Sequence, residues 1–209
     1  ETCGSTTSCG AYDSEENENF ELGIKSDLLD GQLRLNAAIF NTKYENLQRD
    51  TVVTIQDAAG NTFQETISAN EGDTTATGAE IEMTWVPTPN FRVDAHLGYL
   101  NHEYDSYEPI PGSDYSNLET PFSPKWNGGI SATYFQEVSN GSALTYNLAL
   151  HYQDEFEVNP FPANGPELAA GNFVQKANTQ AESRTLLNGS ITWEGSNEHL
   201  EISLYGRNL

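Results

Sequence analysis

Phe91-Arg92-Val93-Asp94-Ala95-His96-Leu97-Gly98-Tyr99 decides the fold. Its odd positions are apolar and its even positions are polar or small. Successive strand side chains point to opposite faces, so the stretch reads as a strand with one greasy and one wet face. The pattern returns at Leu33/Leu35/Ala37/Ile39, Trp126/Gly128/Ile130/Ala132/Tyr134, Leu144/Tyr146/Leu148/Leu150/Tyr152, Leu187/Gly189/Ile191/Trp193 and Leu200/Ile202/Leu204. Helical periodicity is absent. The apolar faces must meet either a second sheet, as in a soluble sandwich, or lipid.

Eight strands follow from this pattern, near 18–29, 32–55, 62–86, 90–105, 124–138, 142–156, 182–195 and 198–208. Their connections alternate in length. Short turns fall at Leu29-Asp30-Gly31, Val86–Asn90, Ser139-Asn140-Gly141 and Gly195-Ser196-Asn197. Between them lie a tip near 57–61 and loops near 106–123 and 157–181. One end of the sheet is therefore trimmed and the other elaborated, the pattern of outer-membrane barrels.

Bulk composition narrows the function. The 209 residues carry 31 acidic and 9 basic side chains, a net charge of -22. Such a chain repels phosphate backbones, which excludes nucleic acid as a partner. Mean hydropathy is -0.57, and no run approaches the roughly 18 apolar residues of a membrane helix. A membrane barrel remains open, because its polar interior dilutes hydropathy. Cys3 and Cys9 lie in a Gly/Ser/Thr-rich segment whose spacing permits a disulfide, which implies an oxidising compartment. The opening residues read as the middle of a loop, so residues 1–17 are expected to be an extracellular loop leading into a barrel portion over 18–209.

Aromatic positions favour lipid. Phe91 and Tyr99 are eight residues apart on one face, as are Trp126 and Tyr134. Eight strand residues at a tilt near 40° climb roughly 20 Å, close to the apolar height of such a barrel. Trp85 and Trp193 sit beside short turns, where interfacial rings belong. The opposite face carries Glu80, Glu82, Arg92, Asp94, His96, Asn127, Ser131, Thr133, Asn147, His151, Asn188, Glu194, Glu201 and Arg207. A lumen or the solvent side of a sandwich accounts for it equally well.

Four segments, LRLNAAIFNTKYENLQ (33–48), TGAEIEMTWVPTPNFRVDAHLGYLNHEY (77–104), PFSPKWNGGISATY (121–134) and LYGRNL (204–209), resemble the C-terminal half of TonB-dependent outer-membrane receptors. The resemblance implies an antiparallel transmembrane β-barrel of about 22 strands, of which this chain carries about eight. It also implies a plug domain, a TonB-contacting N-terminal segment and a last strand beyond these residues. The implied function is active import of a scarce ligand across the bacterial outer membrane, driven by the TonB complex, with a ferric siderophore as the default cargo. Expected partners are that complex, outer-membrane lipid and lipopolysaccharide, and a small-molecule ligand. No cofactor and no enzymatic role are expected. Two other readings stay open: a passive or structural barrel closed by these strands or a few more, and a soluble extracellular β-sandwich.

No nucleophile–base signature or phosphate loop is present, and the four histidines are dispersed, with His96 and His151 read as wet lumen side chains. Candidate ligand contacts are the loop aromatics Tyr104, Tyr107, Tyr115 and Phe156, whose rings suit stacking on catecholate or sugar. Glu103, Asp105, Asp154 and Glu155 form a candidate calcium site through oxygen ligands. The acidic loops suit a glycan, cobalamin or another neutral or cationic nutrient better than an anionic chelate.

Overall fold

The computed structural model describes residues 12–56, 59–108, 114–138, 141–158, 179–197 and 199–209. The expected Cys3–Cys9 pairing lies outside them. Among the described residues ten strands follow in chain order: β1 Glu16–Leu28, β2 Leu33–Gln56, β3 Thr62–Thr88, β4 Phe91–Tyr107, β5 Trp126–Glu137, β6 Ala143–Gln153, β7 Phe156–Glu157, β8 Gln180–Ala181, β9 Arg184–Glu194 and β10 Glu201–Gly206. β1–β6, β9 and β10 form one eight-stranded antiparallel sheet, in which every strand neighbours the next along the chain; β7 and β8 pair separately within the β6–β9 connection. β1 begins two residues before the expected boundary at 18. β3 runs through Pro87 to Thr88, where the ladder shifts register after Trp85. A proline lacks a backbone donor and is tolerated at such an irregularity.

The short turns have the backbone their residues permit. Leu29 and Asp30 both have φ of 54°, and Gly31 has φ of 86°. Successive positive φ values match the twist of paired strands. The Gly31 N–H donates to the Leu28 carbonyl at 3.1 Å.

Register carries the alternation across the sheet without a slip between the outer extension and the Trp85 row. Leu35, Met83, Ala95, Ile130, Leu150 and Leu187 are successive cross-strand partners. Leu33, Trp85, Val93, Ala132, Leu148 and Gly189 form the next row toward the short turns. On the other face, Arg34, Thr84, Asp94, Ser131 and Ala149 form the row between these two, and Asn36, Glu82, His96, Gly129 and His151 form the row beyond Leu35. A one-residue slip would exchange the faces, and none occurs here.

The apolar face is bare: Ile24 is 64 % exposed, Ile130 48 % and Leu148 54 %. A patch this large needs a cover of lipid or protein. The soluble sandwich is set aside, because the described residues form one principal sheet rather than two packed ones. A barrel closed by these eight strands is set aside too, because β1 and β10 do not pair with each other.

β2, β3 and β4 continue beyond Tyr99 as an extension. Register irregularities separate Tyr44 from Leu47 and Asp73 from Thr74. Thr74 pairs with Tyr104 and Asp73 with Ser106, leaving Asp105 as the extra residue of a bulge. That insertion turns Tyr104 and Tyr107, three apart in sequence, toward the same cluster.

Candidate functional site

β5 begins opposite Tyr99, so the edge of β4 above that point needs another partner. The β4–β5 connection supplies it. Leu100 N–H donates to the Lys125 carbonyl at 2.9 Å, and Tyr115 N–H to the Tyr107 carbonyl at 2.8 Å. Glu103 and Glu119 form an isolated bridge. The Phe122 N–H donates to the Glu157 carbonyl at 2.7 Å, joining this connection to β7. Residues 114–123, within the loop expected near 106–123, thus lie with Pro124 and Lys125 along the edge of β4. Backbone groups in such a layer are costly to leave unpaired.

Side chains fill the layer. Tyr104, Tyr107, Tyr115 and Leu118 form its buried cluster, with Tyr107 only 1 % exposed. The Tyr104 and Tyr107 rings stack at 4.4 Å with 9° between planes, and Tyr115 meets Tyr107 edge-on at 6.3 Å. Arg49 from β2 lies 5.4 Å from the Tyr104 ring centre and 5.3 Å from that of Tyr107, and its Nη2 donates to the Tyr104 hydroxyl at 2.7 Å. A guanidinium over aromatic faces is favoured by the ring quadrupole.

This arrangement corrects the reading of the three tyrosines as ligand contacts. Their rings are covered by one another and by Leu118, so they offer no free face for stacking. Phe156 is half-buried, at the start of β7. Its ring centre is 6.1 Å from that of Phe122. Phe122 is 68 % exposed and holds φ at 57°, a conformation bulky side chains rarely adopt. Neither Phe122 nor Arg49 has a sequence signal that singles it out; the partner of Arg49 lies 55 residues away.

His102 anchors the base of the layer. Its Nδ1 is 2.9 Å from the Ser123 hydroxyl, and its backbone carbonyl accepts from the Thr120 hydroxyl at 2.9 Å. Its Nε2 is buried without a hydrogen-bond partner. Burial, and secondarily the charge of Arg49, hold the imidazole pKa below its ordinary value. On the connection itself, the Ser116 N–H donates to Asp114 at 2.9 Å and lowers that carboxyl's pKa.

The four carboxylates expected to hold calcium are not gathered into one group among the described residues. Asp105 accepts from the Thr75 hydroxyl at 2.6 Å, and Asp154 from the Tyr152 hydroxyl at 3.1 Å. Glu103 lies on the bridge to Glu119, and Glu155 follows Asp154 with its N–H donating back to that carboxylate. Among the described residues no three His, Cys, Asp or Glu side chains are grouped to hold a metal ion.

The aromatics expected at the membrane interfaces occupy two levels. Toward the short turns, Phe91 pairs with Tyr134, which pairs with Tyr146; the last two rings are 6.2 Å apart. Trp85 pairs with Leu33 and Val93, and Trp193 with Leu144 and Ile202. At the other level Tyr99 pairs with Trp126.

Comparison with known proteins agrees with this geometry. The family model described as TonB dependent receptor-like, beta-barrel matches residues 4–209. The metal-pseudopaline receptor CntO of Pseudomonas aeruginosa is 29% identical over 151 residues, covering 68% of this chain and 19% of the receptor. The probable TonB-dependent siderophore receptor PiuA of Acinetobacter baumannii is 29% identical over 144 residues, 65% of this chain and 18% of its own length. The chain therefore spans about a fifth of these relatives. Among solved structures, the ferric yersiniabactin uptake receptor FyuA of Yersinia pestis superposes with a TM-score of 0.67 at 22% identity, over 93% of this chain and 25% of that one. The crystal structure of PiuA superposes with a TM-score of 0.60 at 24% identity, over 93% and 24%. These two likenesses speak for the fold. The chain belongs to the TonB-dependent receptor β-barrel family of the bacterial outer membrane.

Proposed function

We propose that this chain forms part of the wall and outer rim of a receptor that actively imports a scarce ligand, by default a ferric siderophore, under the drive of the TonB complex. The observation that carries this reading is the register kept between the outer extension and the Trp85 row, which puts exposed apolar side chains on one face and charged ones on the other, in a chain of this family. The relatives named above include a metal-pseudopaline receptor and a ferric yersiniabactin uptake receptor, which supports a metal-chelate cargo. The reading assigns no catalytic step to the chain.

Within it, Trp85, Phe91, Tyr99, Trp126, Tyr134 and Trp193 sit at the two membrane interfaces, and the outward side chains above Tyr99 meet lipopolysaccharide. Phe122 and Phe156 present aromatic surface to the ligand, while Tyr104, Tyr107 and Tyr115 brace the layer that holds them. The TonB complex is the partner that supplies the drive for import. The deciding experiment measures radioiron uptake from siderophore-containing culture supernatant by cells with and without the intact gene, each with and without a protonophore. Uptake that requires both the gene and the proton gradient is expected. Gene-dependent uptake that survives the protonophore would identify a passive barrel instead.

A further inference from the structure

On the charged face, His96 and His151 belong to strands that are not neighbours. β5 lies between them, and the residue it places there is Gly129, paired with His96 on one side and His151 on the other. The missing side chain matters. A Cβ on Gly129 would stand 2.8 Å from His96 Cε1 and 2.8 Å from His151 Nδ1. The two rings therefore lean over the glycine into the space a side chain would fill. Their centres are 6.3 Å apart and their planes 43° from each other. Neither ring nitrogen has a hydrogen bond or ion pair to another described residue. Both rings line a shallow concavity of about 290 Å³ with Glu82, Asp94 and Ser131.

We infer that this pair is a metal-binding site in the wall, taking a single imidazole-preferring transition-metal ion such as zinc, nickel or copper. Imidazole nitrogen binds these ions at about 2.0–2.1 Å. Adding the ring radius puts each ring centre about 3.2 Å from the ion, so two centres share it about 5.2 Å apart at a tetrahedral angle and about 6.4 Å apart when trans. The observed 6.3 Å is the trans spacing open to nickel or copper, and tetrahedral zinc requires the two exposed rings to close by about 1 Å. Imidazole is also the side chain suited to these metals, whereas calcium and magnesium require oxygen cages. Two ligands from this chain leave further positions on the ion for water or another donor. The pair lies between the two aromatic levels, on the face away from the apolar band. The site stands independently of the import reading, because it concerns ion binding by two side chains and not transport.

The test uses the intact receptor in detergent and zinc chloride alone as probe, with bound metal counted after equilibrium dialysis. Copper(II) in a parallel sample reports nitrogen ligands by electron paramagnetic resonance. Wild type is expected to bind one zinc equivalent more than the double variant His96→Gln/His151→Gln, and to show two-nitrogen coupling that the variant lacks. Each single variant is expected to weaken that equivalent at least as much as loss of an outer-shell partner does, about ten- to a hundredfold. Gly129→Val keeps both histidines but fills the space between them, and is expected to lose the same equivalent. Heat-modifiable electrophoretic mobility establishes that each variant is folded, and His96→Gln serves if the valine variant is not. Equal zinc stoichiometry and affinity in wild type and the folded double variant would overturn the site, whatever the receptor transports.

Discussion

Tyr99 and Trp126 are cross-strand partners whose rings lie 4.8 Å apart at 51°, and eight residues toward the short turns the same strands pair Phe91 with Tyr134. Two aromatic spacings that are separate facts in the sequence become a single rectangle in the sheet. Its corners frame Val93, Ala95, Leu97, Gly128, Ile130 and Ala132, all on the apolar face.

Ile130 and Ser131 are adjacent and point to opposite sides of that rectangle. Ile130→Arg places a charge among Ala95 and Leu150, and is expected to destabilise the intact receptor in bilayers by about 2–4 kcal/mol. Ser131→Arg places it beside Asp94 and is expected to cost little. Urea titration of the receptor in lipid vesicles checks the pair. Equal costs would mean that the apolar face does not meet lipid.

Tyr107 is the most deeply buried ring of the outer layer. Tyr107→Ala removes a side chain that Tyr104 and Tyr115 pack against, a change in the range of about 3–5 kcal/mol for large aromatics. The loss is expected to be local. Amide hydrogen exchange should accelerate across residues 114–125 and stay unchanged between Phe91 and Tyr99.

Gly72 faces Tyr107 where β3 meets the end of β4. A Cβ there would lie 2.0 Å from the Ser106 carbonyl oxygen, and backbone cannot swing aside as a side chain can. Gly72→Ala is expected to destabilise the extension by about 1–3 kcal/mol. Protease nicking above Tyr99, with the spanning strands left intact, is the readout.

His102 makes the outer layer sensitive to acid. Its pKa in the folded layer lies below the ordinary 6.5. The opened layer therefore binds a proton more readily, and stability falls as pH drops below about 6.5 toward the folded value. The opening constant should rise by up to about tenfold per pH unit in that window. Hydrogen exchange at residues 114–125, measured from neutral to mildly acidic pH, should show this rise, and His102→Gln should remove it.

The spanning strands were legible because period-two alternation survives wherever one face must be apolar, and every strand from Phe91 to Trp193 obeys it. The outer site was not. Asp105 sits among residues that are polar on both faces, so nothing in the local pattern marks it as an inserted residue, and Tyr104 and Tyr107 read as loop aromatics rather than as a stacked pair. Arg49 meets them only through the pairing of β2, β3 and β4. Phe122 adopts its left-handed backbone because Pro121, Ser123 and the β7 carbonyl hold the chain there, a tertiary cause without a local signature. The histidine pair was visible residue by residue, but its meeting over Gly129 required the register of three strands.

The irregularities at Tyr44–Leu47 and at Asp105 separate two regimes of evolutionary freedom. Below them, an inserted or deleted residue inverts the orientation of everything downstream on that strand. Above them, the extra residues reset the phase, and length changes in the β2–β3 hairpin leave the wall untouched. The receptor's exterior can therefore lengthen, shorten and diversify under pressure from whatever recognises it, while the strands beneath tolerate substitution but not a change of count.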